Sequence, residues 1–174
     1  MGYYIDINGN YYEGDKAELH DVEVPQRPSQ FSKWVGGAWV DDLASAKSKA
    51  YDAIDSQAGT TRAKYITTVA GQSETYMSKA TDAAAYKAAS YPFANIANYP
   101  WVQAEAIALN GATPTAAQTQ AAADGILAAQ AAWITLGAKI EQARRAGAVA
   151  VAAAGTVAAV QSAQAAAVAS LGAL

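Results

Sequence analysis

The one histidine of the chain, His20, stands among Glu18, Asp21 and Glu23, and no other stretch comes nearer to metal chemistry. Imidazole and carboxylate groups hold a cation when several converge at set spacings. These four are scattered through a segment with no regular pattern, and there is no second histidine and no cysteine. The expectation is no metal site. A Ser-His-Asp hydrolase would need a histidine placed beside a serine and an acid, and the sequence offers none. No GxGxxG, P-loop or GxSxG motif is present. Asp52, Asp55, Glu74, Asp82, Glu105, Asp124 and Glu141 occur singly along amphipathic stretches, as on solvated helix faces, and nothing marks a hydrolytic carboxylate pair. The reading is a non-enzymatic chain with no catalytic residues and no cofactor.

What the fold must position is therefore a set of apolar and aromatic residues, and the stretch that organises the chain runs from Thr113 to Leu174. Thr113 followed by Pro114 reads as a helix cap and first helical position. Alanine-rich sequence from Ala116 to Arg145 then favours helix. Ile126, Trp133 and Ile140 recur every seventh residue and Leu136 adds the interleaved position, which makes one apolar seam. Glu141 can pair with Arg144 and Arg145 along the surface. No charge follows Arg145. The seam continues there through Gly147, Ala154 and Val168, and through Ala150, Val157 and Leu171, as a helical tail whose small residues allow close helix approach. A membrane segment over Ala146–Leu174 is the rival to a packed helix, by length, although Thr156, Gln161, Ser162, Gln164 and Ser170 interrupt it.

The start of the chain has a different pattern. Tyr3 to Ile7, Asn8-Gly9-Asn10 and Tyr11-Tyr12 predict a hairpin with an Asn-Gly turn. Val22 to Val24 adds a short strand, Pro25 to Pro28 an extended link, and Phe31 to Val35, Gly36-Gly37 and Ala38 to Val40 a second hairpin. Tyr3, Tyr4, Tyr11, Tyr12, Trp34 and Trp39 either fill this small core or present a contact face for a protein or a sugar.

Asp41-Asp42 marks the entry to helices. The first runs from Leu43 to about Val69 through Ala46, Ala50, Ile54 and Tyr65, with a kink at Gly59-Thr60-Thr61 and an end at Ala70-Gly71-Gln72. Ser73 caps the next, which continues through Tyr76, Met77, Ala80, Ala83, Ala84 and Lys87 to about Ala89. Tyr91-Pro92 and Tyr99-Pro100 flank an aromatic corner with Phe93 and Trp101, either a structural elbow or a ligand pocket, before a short helix from Trp101 to Leu109. The fold class is mainly α: a small N-terminal antiparallel β meander (residues 1–40), a helical body (41–145) within an alanine-rich bundle, and the uncharged tail (146–174) of a long C-terminal helix.

The chain has 174 residues and a net charge of −3, which disfavours a nucleic-acid partner. Residues 1–42 hold eight acids against three bases, while 43–174 hold nine bases against seven acids, so an acidic head joins a slightly basic body. The absence of cysteine excludes disulfides and thiolate zinc sites. Met1 to Asp6 lacks the basic and apolar regions of a secretory signal, and the residues after Gly2 do not suit myristoylation, so neither is expected.

The first forty residues carry a resemblance. Tyr4-Ile5-Asp6-Ile7-Asn8-Gly9-Asn10-Tyr11-Tyr12, then Val24-Pro25 with Arg27-Pro28, then Trp34-Val35-Gly36-Gly37-Ala38-Trp39 resembles the N-terminal region of tailed-bacteriophage tail-fibre assembly and tail-fibre-associated proteins. Thr61 to Thr67, Gly71-Gln72, Tyr76-Met77, Tyr91-Pro92, Ala132-Trp133 and Ile140-Glu141 are similar to an alanine-rich helical region of phage tail proteins. The resemblance implies a structural tail-fibre or baseplate-associated protein of the virion tail, assembled in the host cytoplasm. Its partners would be other tail or fibre proteins and its own copies, as a homo-oligomer of the trimeric kind. The expected interface residues are Tyr4, Tyr12, Trp34, Trp39, Ile126, Trp133, Leu136, Ile140, Val157, Val168 and Leu171. A fibre-assembly chaperone, a membrane-inserting protein and a carbohydrate-binding module are the alternatives.

Overall fold

The computed structural model describes residues 1–65 and 72–174. The expected continuation of the first helix to Val69 and the break at Ala70-Gly71 lie outside the described residues. So do the side chains of Gln72 and Ser73, on which the expected cap depends. A small β meander precedes a set of helices, as the pattern predicts. The chain forms two compact units that are not consecutive stretches: Met1–Ala58 with Ala143–Ala173, and Gly59–Gln142 with Leu174.

In the first unit, β1 (Gly2–Ile5) lies between β2 (Tyr11–Gly14) and β3 (Val22–Glu23) in an antiparallel sheet. Asp6 organises the first turn: its carboxylate accepts from the Asn8 and Asn10 amides at 2.8 and 2.7 Å and from the Asn10 side chain at 2.9 Å. Those bonds, the side-chain one foremost, hold its carboxyl below the usual value. The second hairpin joins β4 (Ser32–Val35) to β5 (Ala38–Asp41) and sets Trp34 opposite Trp39. Its turn glycines, Gly36 and Gly37, have φ of 59° and 90°, a pair of left-handed positions that glycine adopts without a Cβ penalty.

Helix α1 (Leu43–Ala63) opens on Asp42, whose carboxylate accepts from the Ser45 amide at 2.9 Å. Ala46, Ala50, Ile54 and Ala58 recur every fourth residue and are buried. Two expectations are corrected here. The helix runs uninterrupted through Gly59-Thr60-Thr61, and it ends at Ala63, before Tyr65. Lys64 and Tyr65 donate to the carbonyls of Thr61 and Arg62, three residues back, which tightens and closes the last turn.

The C-terminal part is also not one helix. Helix α4 (Ala116–Ala153) and helix α5 (Val157–Gly172) are separate. Gly155 interrupts the ladder, and Thr156 restarts it by accepting from the Ala159 amide at 3.2 Å. Within α4 the buried position four residues after Gly147 is Val151, whereas Ala150, the expected one, is exposed. The start of α4 moves as well. Thr115, not Thr113, is the cap: the Thr115 hydroxyl accepts from the Gln118 amide at 3.3 Å, and the Gln118 side chain accepts from the Thr115 amide at 2.8 Å. This is a reciprocal capping box, and it satisfies two end amides where Pro114 could help with none.

The second unit contains helix α2 (Gln72–Ala88), a 3-10 turn at Phe93–Asn98, helix α3 (Pro100–Asn110) and the first part of α4. Its core is Ala83, Tyr86, Val102 and Ala123, ringed by Tyr91, Ile96, Tyr99, Ile126 and Leu127. Asp82 of α2 caps α3 from a distance by accepting from the Trp101 and Val102 amides at 2.8 and 3.0 Å. The expected elbow is therefore present, with a different centre. Tyr86 meets Tyr91 and Tyr99 edge-on at 5.5 and 5.0 Å, while Phe93 and Trp101 stay more than a third exposed.

Candidate interaction surface

The aromatic residues of the head form two runs because successive strand side chains alternate in direction. Tyr4 stacks on Tyr12 directly opposite, at 5.5 Å. On the other face Tyr3 stacks on Tyr11 at 6.0 Å, Tyr11 meets Trp39 at 5.5 Å, and Trp39 meets Trp34 at 5.2 Å. The second run joins the three-stranded sheet to the second hairpin. Arg27 fastens that junction. Its guanidinium lies over the Tyr11 ring at 5.9 Å and donates to the carbonyls of Ser32, at 2.9 Å, and of Gln30. The Trp39 indole donates to the Pro25 carbonyl at 2.9 Å.

All six aromatic side chains are half-buried. Trp34 and Trp39 meet at 69°, so they do not make the flat platform on which a sugar ring stacks. Their outer neighbours are the exposed ones. Val35 and Val40 stand on the opposite face of the hairpin from the tryptophans, at 58% and 51% exposure.

The acidic segment folds inward at one residue only. Asp21 is buried, where its carboxylate accepts from the Tyr12 hydroxyl and from the Glu18 amide. Burial, with Asp21 adding to it, pushes the Tyr12 phenol above its usual value. His20, Glu18 and Glu23 remain at the surface. No three such side chains converge among the described residues.

The expected helical interface residues divide by burial. Ile140, Val157 and Leu171 are buried, and Ile126, Trp133, Leu136 and Val168 are half-buried. Ile126 packs against the Tyr86 core. In α5 the buried set is Val157, Val160, Ala167 and Leu171, spaced three, seven and four apart, and Val160 and Ala167 are the two that the seam reading missed. Gly147 faces Ile54 and Ala167 within the first unit. Ion pairs tie the helices at the rim: Arg144 with Asp55 at 3.0 Å, Arg62 with Glu141 at 3.5 Å, Lys79 with Glu105 at 2.6 Å and Lys87 with Asp124 at 2.9 Å.

One thinly covered apolar surface is on α4. From Gly125 to Ala138 the helix carries no charge, Ile134 is 62% exposed, and only 11% of the helix's most apolar eighteen-residue window is buried. By length and composition this helix, and not the tail, is the one among the described residues that would reach across a membrane; α5 has only 16 residues. No family model matches the chain, and no relative is found among curated proteins or solved structures.

Proposed function

We propose that this chain is a non-enzymatic structural protein that acts through protein–protein contacts. The observation that carries the reading is the exposure of α4. A 38-residue helix with so little of its apolar window buried leaves a surface that a partner would cover. The setting proposed for it is a tailed-bacteriophage virion, as a tail-fibre or baseplate-associated component. Support for that setting is the resemblance of the first forty residues, whose aromatic side chains form two connected runs on a compact head. Its partners are other tail or fibre proteins and further copies of itself. Mass spectrometry of purified virions tests the setting. Recovery in fixed proportion to known tail proteins is the expected result. Loss of the chain from finished particles, with recovery from assembly intermediates, would replace the structural role with a chaperone role. Recovery only in carbonate-resistant membranes would refute both.

A further inference from the structure

Helix α4 has two usable sides. Ile126, Ile140 and Gly147 turn inward. The opposite side presents Gly125, Ala128, Ala131, Ala132, Thr135 and Ala138, every one exposed and each with others of the set three or four residues away. Asp124 closes this stretch at one end and Lys139 at the other. Lys139 has no ion-pair partner among the described residues. Asp124 uses Oδ1 for both Lys87 and Tyr91, which leaves Oδ2 able to accept.

We infer that this outward face of α4 is where a second copy of the chain packs, antiparallel, about a two-fold axis between Ala131 and Ala132. Turning a second copy end for end about that point lays Asp124 against its Lys139, Gly125 against its Ala138 and Ala128 against its Thr135. The face is thus complementary to itself in charge and in size, as an isologous contact requires. Side chains this small let two helix axes approach to about 8 Å. A parallel pairing would set Asp124 against Asp124 and Lys139 against Lys139, and like charges select against it. Lipid is the poorer occupant: α4 is long enough to cross a bilayer, but its charge-free stretch is about 21 Å at about 1.5 Å per residue, so Asp124 or Lys139 would enter the roughly 30 Å hydrocarbon core. The inference deepens the assembly reading and rests on it for the partner being a protein. A two-fold contact here also excludes a trimer built on this face.

Cysteine cross-linking of the full chain tests it, because the native sequence has no cysteine to interfere. Ala132→Cys places a thiol beside the axis, within disulfide reach of its mate. Ala121→Cys, on the same side of the helix, places one roughly 30 Å from its mate. Under mild oxidation at micromolar concentration, Ala132→Cys should run as a covalent dimer and Ala121→Cys as a monomer. Adding Lys139→Glu to Ala132→Cys should sharply reduce the dimer. A folded Ala132→Cys chain that stays monomeric, equal cross-linking at both positions, or uptake into neutral lipid vesicles in place of dimer would overturn the inference. Ala131→Cys, the other residue at the axis, repeats the test should the first variant misfold. The cross-link is read on the purified chain and virion content on particles, so either result can fail without the other.

Discussion

Gly147 in α4 lies so close to α5 that a Cβ built on it would sit 2.4 Å from the Cβ of Ala167, with the Ile54 side chain 3.3 Å away. Both neighbours are buried, so nothing there yields easily. Gly147→Ala should destabilise the chain by about 1–3 kcal/mol through overpacking. Ala167→Gly in the same chain should recover part of the loss. Gly59→Ala is the control: it is exposed within α1 and meets nothing within 4 Å, so it should gain about 0.5–1 kcal/mol in helix propensity. Urea unfolding of the variants decides between packing and propensity.

Helix α2 ends on two consecutive left-handed residues, Ser90 at φ 63° and Tyr91 at φ 57°. The Tyr91 amide donates to Tyr86 O and the Ser90 amide to Lys87 O, both at 3.0 Å, and the Tyr86 and Tyr91 rings touch. This is a Schellman end with a serine at the position glycine prefers. Ser90→Gly should raise stability by about 0.5–1 kcal/mol, while Ser90→Val should lower it. Thermal melts of the two variants should move in opposite directions.

The Tyr86 ring is fully buried, and its hydroxyl has no hydrogen-bond partner among the described residues. A buried unpaired hydroxyl opposes folding by about 1–3 kcal/mol. Tyr86→Phe should therefore match or exceed the native stability. Tyr86→Ala should lose about 3–5 kcal/mol. A clear loss on Tyr86→Phe would show that the hydroxyl has a partner.

Asp42 caps α1 and contacts Lys33 at 2.6 Å. The Lys33 hydrogen bond first, then the Ser45 amide, lower its carboxyl from 3.8 to about 2. Because the folded value lies below the unfolded one, the stabilisation is complete above pH 3.8 and is lost as pH falls towards about 2. NMR titration of the Asp42 carboxyl should find a midpoint near 2 at low salt. Added salt should raise the midpoint, since the ammonium of Lys33 is exposed. Asp42→Ala should flatten the acid limb of the stability profile.

Much of the architecture was legible because its signals are local. Tyr-Ile alternation around Asn8-Gly9, the Gly36-Gly37 turn, Asp42 as a cap and the four-residue spacing of Ala46, Ala50 and Ile54 each act within a few residues. The errors arose where two local signals competed. Thr113-Pro114 reads as a helix start, yet Thr115 caps the helix because its bonds with Gln118 are reciprocal. Gly59 and Gly155 look alike in sequence, yet only Gly155 is followed by a threonine that captures the next helix start. Tyr86 was overlooked because its three-residue step from Ala83 is as weak a signal as that of its exposed neighbours.

The sequence by itself determined the element types, the acidic aromatic head and the alanine-rich helices, since propensity, turn chemistry and charge are properties of neighbouring residues. Only the tertiary structure decided which apolar face is spent inside the chain. Alanine is small enough to suit an exposed or a buried position, so periodicity cannot choose between the two sides of α4. Burial of Ile140 and Gly147 on one side leaves Ala128, Ala131 and Ala132 on the other. That choice follows from which neighbours the folded chain brings to each face.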